Sequence, residues 1–216
     1  MSSFIVIEGP NGTGKTTHSK RLVDELNYKN IPAKYLFDPG VEKDNPAMTI
    51  REIARQAQVS TKTELLLFLC SRSLLEDKIK ECLDKGVNVI CDRYIFSTLV
   101  FQGILKNREE LISKLEFITE FIKPDFQIML QAPAEILDDR INSRNKEKSK
   151  FERQLSTQDI VNAYNVVLEK YYPNTKVIES NRNIDIVFYD IYYNILNFIK
   201  SGDKNENNKS SKRCFV

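Results

Sequence analysis

The sequence predicts an α/β protein, a parallel sheet of five strands flanked by helices. Three observations carry that prediction: five short apolar runs with almost no interruption, longer segments of helical period between them, and turn-forming residues at several junctions. A strand buried on both faces reads as a continuous apolar run rather than an alternation, and repeated β-α order makes neighbouring strands parallel.

The runs fall at residues 4–7, 33–37, 87–91, 126–130 and 176–178, and helical periodicity covers 15–30, 47–57, 61–85, 108–122, 134–145, 157–171 and 184–200. Asp38-Pro39-Gly40 marks a turn directly after the second run and Pro124-Asp125 precedes the fourth. Loops after strand ends are where α/β sheets hold ligands. From Ser201 the chain is too polar to pack, so residues 1–200 read as one domain and 201–216 as a disordered tail.

The 32 Lys and Arg residues against 30 Asp and Glu leave a formal charge of +2, which argues against a surface for nucleic acid and for local binding of any anion. No apolar stretch approaches the roughly 18 residues that span a bilayer, and no signal-peptide pattern is visible, so the expected location is cytoplasmic. Cys70, Cys82, Cys91 and Cys214 form no C-x-x-C pair, and the single histidine, His18, has no cysteine neighbour, so neither a zinc site nor a disulfide framework is expected.

The strongest motif runs Gly9, Pro10, Asn11, Gly12, Thr13, Gly14, Lys15, Thr16, with Thr17 next. It matches G-x-x-x-x-G-K-[ST] at every fixed position and lies between an apolar strand and a helix, the context that such a phosphate loop requires. Its glycines let backbone N–H groups curl round phosphates where a Cβ would obstruct, Lys15 neutralises the β and γ phosphates of a nucleotide, and Thr16 offers a hydroxyl to Mg²⁺. The helix that follows adds a dipole favourable to anions. The fold expected is the three-layer P-loop nucleoside triphosphate hydrolase fold. The sequence argues against a GTPase and against guanine specificity, because no D-x-x-G occurs and Asn145-Lys146-Glu147-Lys148 lacks the aspartate of a guanine-reading motif.

The third strand ends in Asp92-Arg93, a carboxylate and a guanidinium at the ligand edge of the sheet. Asp92 can hold the metal through water and Arg93 can fork onto phosphate oxygens; the alternative is a salt bridge that caps the strand. Phe68 and Arg72 stand four residues apart, hence on one helical face, where they either clamp a flat base or pack in the core.

The stretch from Asp92 to Gly103, D-R-Y-I-F-S-T-L-V-F-Q-G, resembles the signature of thymidylate kinases, and the resemblance extends along most of residues 4–171. It implies transfer of a phosphoryl group from ATP to dTMP, with Asp92 and Arg93 approaching Mg²⁺ and the dTMP phosphate and with Ser97, Thr98 and Gln102 near deoxyribose and thymine. Phe68 then stacks on thymine and Arg72 bonds its exocyclic oxygen. Asp38-Pro39-Gly40 and Ile50-Arg51-Glu52-Ile53 look like the family's R-E-P-G and I-R-E-I, which puts Asp38 and Arg51 on the acceptor side. Two departures stand out: Phe37 occupies the slot of the motif's arginine, and Asn11 replaces an acidic group that lies near the sugar 3′-hydroxyl.

Cations crowd residues 140–154, including Arg140, Arg144, Lys146, Lys148, Lys150 and Arg153. Such a run is either a solvated helix face or a lid that brings charge over the transferred phosphoryl group while excluding water. In the resembling family the catalytic arginine comes from the phosphate loop or from this lid. Pro10, Asn11 and Thr13 carry no charge, so the lid supplies it, with Arg144 as the choice and Arg140 and Arg153 as alternatives. The resemblance also implies a homodimer. Two other readings stay open: a deoxynucleoside kinase, although the Trp of its usual Glu-x-Trp is absent, and a P-loop binding module that has lost catalysis.

Overall fold

The computed structural model describes residues 2–38, 46–56, 59–108, 110, 120–144 and 153–204. Five parallel strands, β1 (Phe4–Glu8), β2 (Ala33–Phe37), β3 (Asn88–Asp92), β4 (Phe126–Gln131) and β5 (Lys176–Glu179), form one sheet in the order β2-β3-β1-β4-β5. Every residue of β1 and β3 is buried, which is why these central strands show no polar alternation. Each predicted run coincides with a strand.

The helices among the described residues are α1 (Lys15–Tyr28), α2 (Pro46–Gln56), α3 (Thr61–Asp84), α4 (Ile95–Thr98), α5 (Ala134–Ser143), α6 (Thr157–Tyr171) and α7 (Ile184–Lys204). They divide the core into two layers. On one face, α3, α4 and α6 bring Leu65, Leu69, Phe96 and Tyr164 against Val6, Val89 and Cys91. On the other, α1 and α7 bring Leu22, Leu26, Phe188 and Ile191 against Ile5, Ile7 and Ile128. Helix α3 begins where the Ser60 hydroxyl accepts from Thr63 N–H at 3.1 Å, a side-chain cap, and its buried positions recur at three- and four-residue spacing.

Periodicity missed α4 and the π turn (Leu99–Gly103) and 3₁₀ turn (Ile104–Lys106) that follow it. The reason is burial: α4 and the π turn are buried at every position, so no amphipathic pattern exists to be read. Helix α7 runs to Lys204, beyond the Ser201 start assigned to the polar tail. Most of the helix expected at 108–122, the turn residues 39–40, the lid residues 145–152 and the tail at 205–216 lie outside the described residues.

Register sets the geometry of the site. In the sheet Ile7 pairs with Asp92, and Phe37 pairs with Asp92 from the other side. The chain just past β1, β2 and β3 therefore converges on one edge.

Candidate active site

The phosphate loop leaves β1 at Gly9, whose φ is 143°; a Cβ there would stand 2.2 Å from the Leu130 carbonyl oxygen. Glycine is required both for that backbone conformation and for the close approach to β4. The loop ends at Gly14, the N-cap of α1, with φ 85°. Between them Thr13 Oγ1 donates to the Pro10 carbonyl at 2.9 Å and Lys15 Nζ to the same oxygen at 2.7 Å, so the ammonium arches over the loop. Burial, then the nearby Arg93, lowers the Lys15 pKa to about 7, with Asp92 and Glu8 opposing.

Thr16 Oγ1 donates to Asp92 Oδ2, tying the first turn of α1 to the end of β3. Tyr35, from β2, directs its hydroxyl to the same oxygen at 3.4 Å. Thr17 faces solvent on α1.

Arg93 occupies the left-handed region at φ 72°, unusual for a residue with a side chain. Its Nη2 donates to Asn11 Oδ1 at 2.5 Å, and its Nη1 donates to Ser97 Oγ at 2.9 Å and to the Tyr164 hydroxyl. The bland alternative of an Arg93–Asp92 salt bridge capping the strand is not what forms. The guanidinium lies instead across the phosphate loop and α6, over the Phe101 ring at 5.8 Å from its centre.

A second cluster lies deeper. Arg72 Nε donates to Asp38 Oδ2 at 2.7 Å, and Arg72 Nη2 reaches Asp38 Oδ2 and, at 2.7 Å, Thr98 Oγ1. Two polar atoms of this buried pair keep no partner, Asp38 Oδ1 and Arg72 Nη1. Phe68 is buried one turn before Arg72 on α3. Gln102 Nε2 donates to Glu64 Oε1 at 3.2 Å. Arg51 places its guanidinium 5.4 Å from the centre of the Phe37 ring, so the phenylalanine that stands in the motif's arginine slot packs beneath another arginine.

On the lid side, Arg140 is held at both arms: Nη1 donates to Gly12 O at 3.3 Å and Nη2 to Ser180 O at 2.9 Å. Arg144 is half-buried at the end of α5 and close enough to Lys15 to help lower its pKa. Arg153 is exposed.

The thymidylate kinase family model matches residues 7–191 of the chain. The chain belongs to the thymidylate kinase family. A thymidylate kinase of Staphylococcus haemolyticus is 31% identical over 208 residues, an overlap of 93% of this chain and 100% of that protein. Those of Mycoplasmoides gallisepticum and Thermosipho africanus are 32% and 33% identical, covering 94% and 87% of this chain and 98% and 94% of their own lengths. Neither a deoxynucleoside kinase nor a binding module is favoured by these matches. The family match takes in the phosphate loop, the β3 end and the cation-rich segment 140–154.

Residues that the sequence did not single out share hydrogen bonds with the candidate site residues. Glu8, the last residue of β1, is fully buried and accepts from Tyr94 N–H and Ser97 Oγ. Tyr164 on α6 meets Arg93 and Ser97, and Tyr35 meets Asp92. The available signal was Glu8 itself, a carboxylate closing an otherwise apolar strand. Tyr164 read as ordinary core of a helix.

Proposed function

We propose that the protein transfers the γ-phosphoryl group of ATP to dTMP, yielding dTDP and ADP, between the phosphate loop and the pocket behind the β3 end. One observation carries the reading: Arg93 reaches Asn11 at 2.5 Å, so the guanidinium assigned to the acceptor phosphate stands on the rim of the loop assigned to the donor's phosphates. Two nucleotides held there meet phosphate to phosphate.

In this reading the loop from Gly9 to Thr16 cradles the ATP phosphates, Lys15 neutralises the outer ones, and Arg93 forks onto the dTMP phosphate. Thr16 and Asp92, a hydroxyl and a carboxylate already joined, are hard oxygen donors of the kind that would hold Mg²⁺, Asp92 through water. When bound, the ion supplies charge neutralisation between the phosphates. Phe68 stacks on thymine, and the unpartnered Nη1 of Arg72 is a buried donor for the base edge. Ser97, Thr98 and Gln102 line the sugar and base, with Arg51 and Asp38 at the β2 side. Asn11 accepts from the sugar 3′-hydroxyl.

Arg144 is the lid cation that reaches the transferred group, since it lies near enough to Lys15 to help lower that lysine's pKa, whereas Arg140 bonds two backbone carbonyls. Residues 1–200 act as one kinase domain with a lid at 140–154, paired as a homodimer, with small nucleotides rather than nucleic acid as ligands. Among the described residues no helix is long and apolar enough to cross a membrane, and the cytoplasm is the compartment we assign.

An ADP-release assay across dTMP, dUMP, dCMP, dGMP and thymidine tests the reading. Turnover is expected with dTMP above all. Turnover with thymidine alone would make the chain a nucleoside kinase, and none with any acceptor would make it a binding module.

A further inference from the structure

The Arg93 guanidinium is held by groups that themselves need holding. Ser97 Oγ donates its one proton to Glu8 Oε2 at 2.7 Å, so at its 3.1 Å contact with Tyr164 it accepts, and the tyrosine hydroxyl donates. Arg93 Nη1, which has only protons to give, donates to both. Every hydrogen bond in the set therefore runs toward Glu8. The other carboxylate oxygen, Oε1, accepts from Tyr94 N–H at 2.7 Å and Ser97 N–H at 3.2 Å, groups at the start of α4 where no local side chain caps the helix. That second grip holds the turn in which Arg93 keeps its left-handed φ of 72°.

We infer that Glu8 is a positioning residue of the acceptor site: its buried carboxylate sets the direction of the Ser97–Tyr164–Arg93 hydrogen bonds and so aims the Arg93 guanidinium. A carboxylate at 0% exposure is costly unless it is paired and fully hydrogen-bonded, and Glu8 meets that condition through the groups that carry Arg93. Burial raises its pKa, while Arg93, Ser97, Tyr94 and Lys15 all act to keep it ionised. Glutamine at this position has the same shape but presents N–H to Ser97, which reverses the first bond of the chain and turns the Ser97 proton toward Tyr164.

The inference rests on Arg93 contacting the dTMP phosphate, and the experiment separates the two claims. Steady-state kinetics with dTMP and ATP varied independently are measured for Glu8→Gln, Tyr164→Phe, their combination and Arg93→Lys, with the thermal midpoint of each. Expected for Glu8→Gln is a rise of about tenfold in the dTMP KM with the ATP KM within about twofold, the scale of one charged hydrogen bond lost. Tyr164→Phe should act in the same direction, and the combination should do no more than the larger single change, because both interrupt one chain. Proportional rises in both KM values, or changes that merely follow the midpoint, overturn it. Should Glu8→Gln fail to fold, Tyr164→Phe decides: a selective rise of about threefold or more in the dTMP KM supports the inference and an unchanged one defeats it. If Arg93→Lys leaves the dTMP KM unchanged, the acceptor reading itself is wrong; if Arg93→Lys raises it and Glu8→Gln does not, only the role of Glu8 is.

Discussion

Arg72 and Asp38, thirty-four positions apart in the chain, form an ion pair at side-chain exposures of 2% and 1%, with Arg72 Nε donating to Asp38 Oδ2 at 2.7 Å. The pair joins α3 to the residue after β2 and leaves one atom of each partner uncommitted. Breaking a buried pair costs far more than replacing it, because the survivor keeps its charge without compensation. Asp38→Ala should lower stability by roughly 3–5 kcal/mol in urea denaturation. Asp38→Ala with Arg72→Met should regain more than half of that loss. A single variant as stable as the parent protein would mean the pair is not a buried constraint.

Lys15 links the site to pH. Burial is the first cause of its lowering to about 7, with Arg93 second. A cation whose folded pKa is depressed takes up fewer protons than the unfolded chain, so its contribution to the stability of the free protein rises with pH from about 7 toward the usual lysine value near 10.5. Polyphosphate reverses the balance by favouring the ammonium. Calorimetry of ATP binding in buffers of different ionisation enthalpy should show proton uptake between pH 7 and 9, absent in Lys15→Arg. Heats of binding that do not vary with the buffer's ionisation enthalpy across that window would contradict the depressed value.

Arg144 and Arg140 should separate in kinetics. Arg140 bridges Gly12 and Ser180 through two carbonyls, so Arg140→Ala should lower the thermal midpoint and raise the ATP KM by loosening both loops. Arg144→Ala should lower kcat by about 100-fold with either KM changed less than about threefold, the pattern of charge supplied only in the transition state. The opposite assignment of effects would exchange their roles.

His18 predicts acid sensitivity. It lies buried beneath the phosphate loop with Nδ1 unpartnered, and burial, then Arg21 and Arg140, lowers its pKa from near 6.5 to about 4. The folded protein thus binds fewer protons than the unfolded chain in that interval, and stability falls as pH drops from 6.5 toward 4. His18→Gln should flatten this part of the profile, measured as urea midpoints at pH 7 and pH 5. A variant with the parent's slope would place the acid sensitivity elsewhere.

The sheet and most helices were legible because each repeats a simple burial rule: both faces covered for strands, one stripe for helices. The phosphate loop was legible because its glycines answer a local demand, φ 143° at Gly9 and 85° at Gly14. The segment from Ile95 to Gly103 read as motif and not as helix, since burial on every side erases periodicity. Tyr164 gave no sign of its polar contacts either. Its hydroxyl serves Arg93 and Ser97, 71 and 67 positions away.

From residue order alone came the strand–helix alternation, the phosphate loop and the family signature, because each is written in neighbours along the chain. Which partner each charged group would take was settled only by folding. Parallel register set Ile7 and Phe37 beside Asp92, and that convergence joined Thr16 to Asp92, Arg93 to Asn11 and Arg72 to Asp38. Hydrogen bonds and ion pairs act over a few ångströms of space, and only the closed sheet brings groups so far apart in the chain within that range.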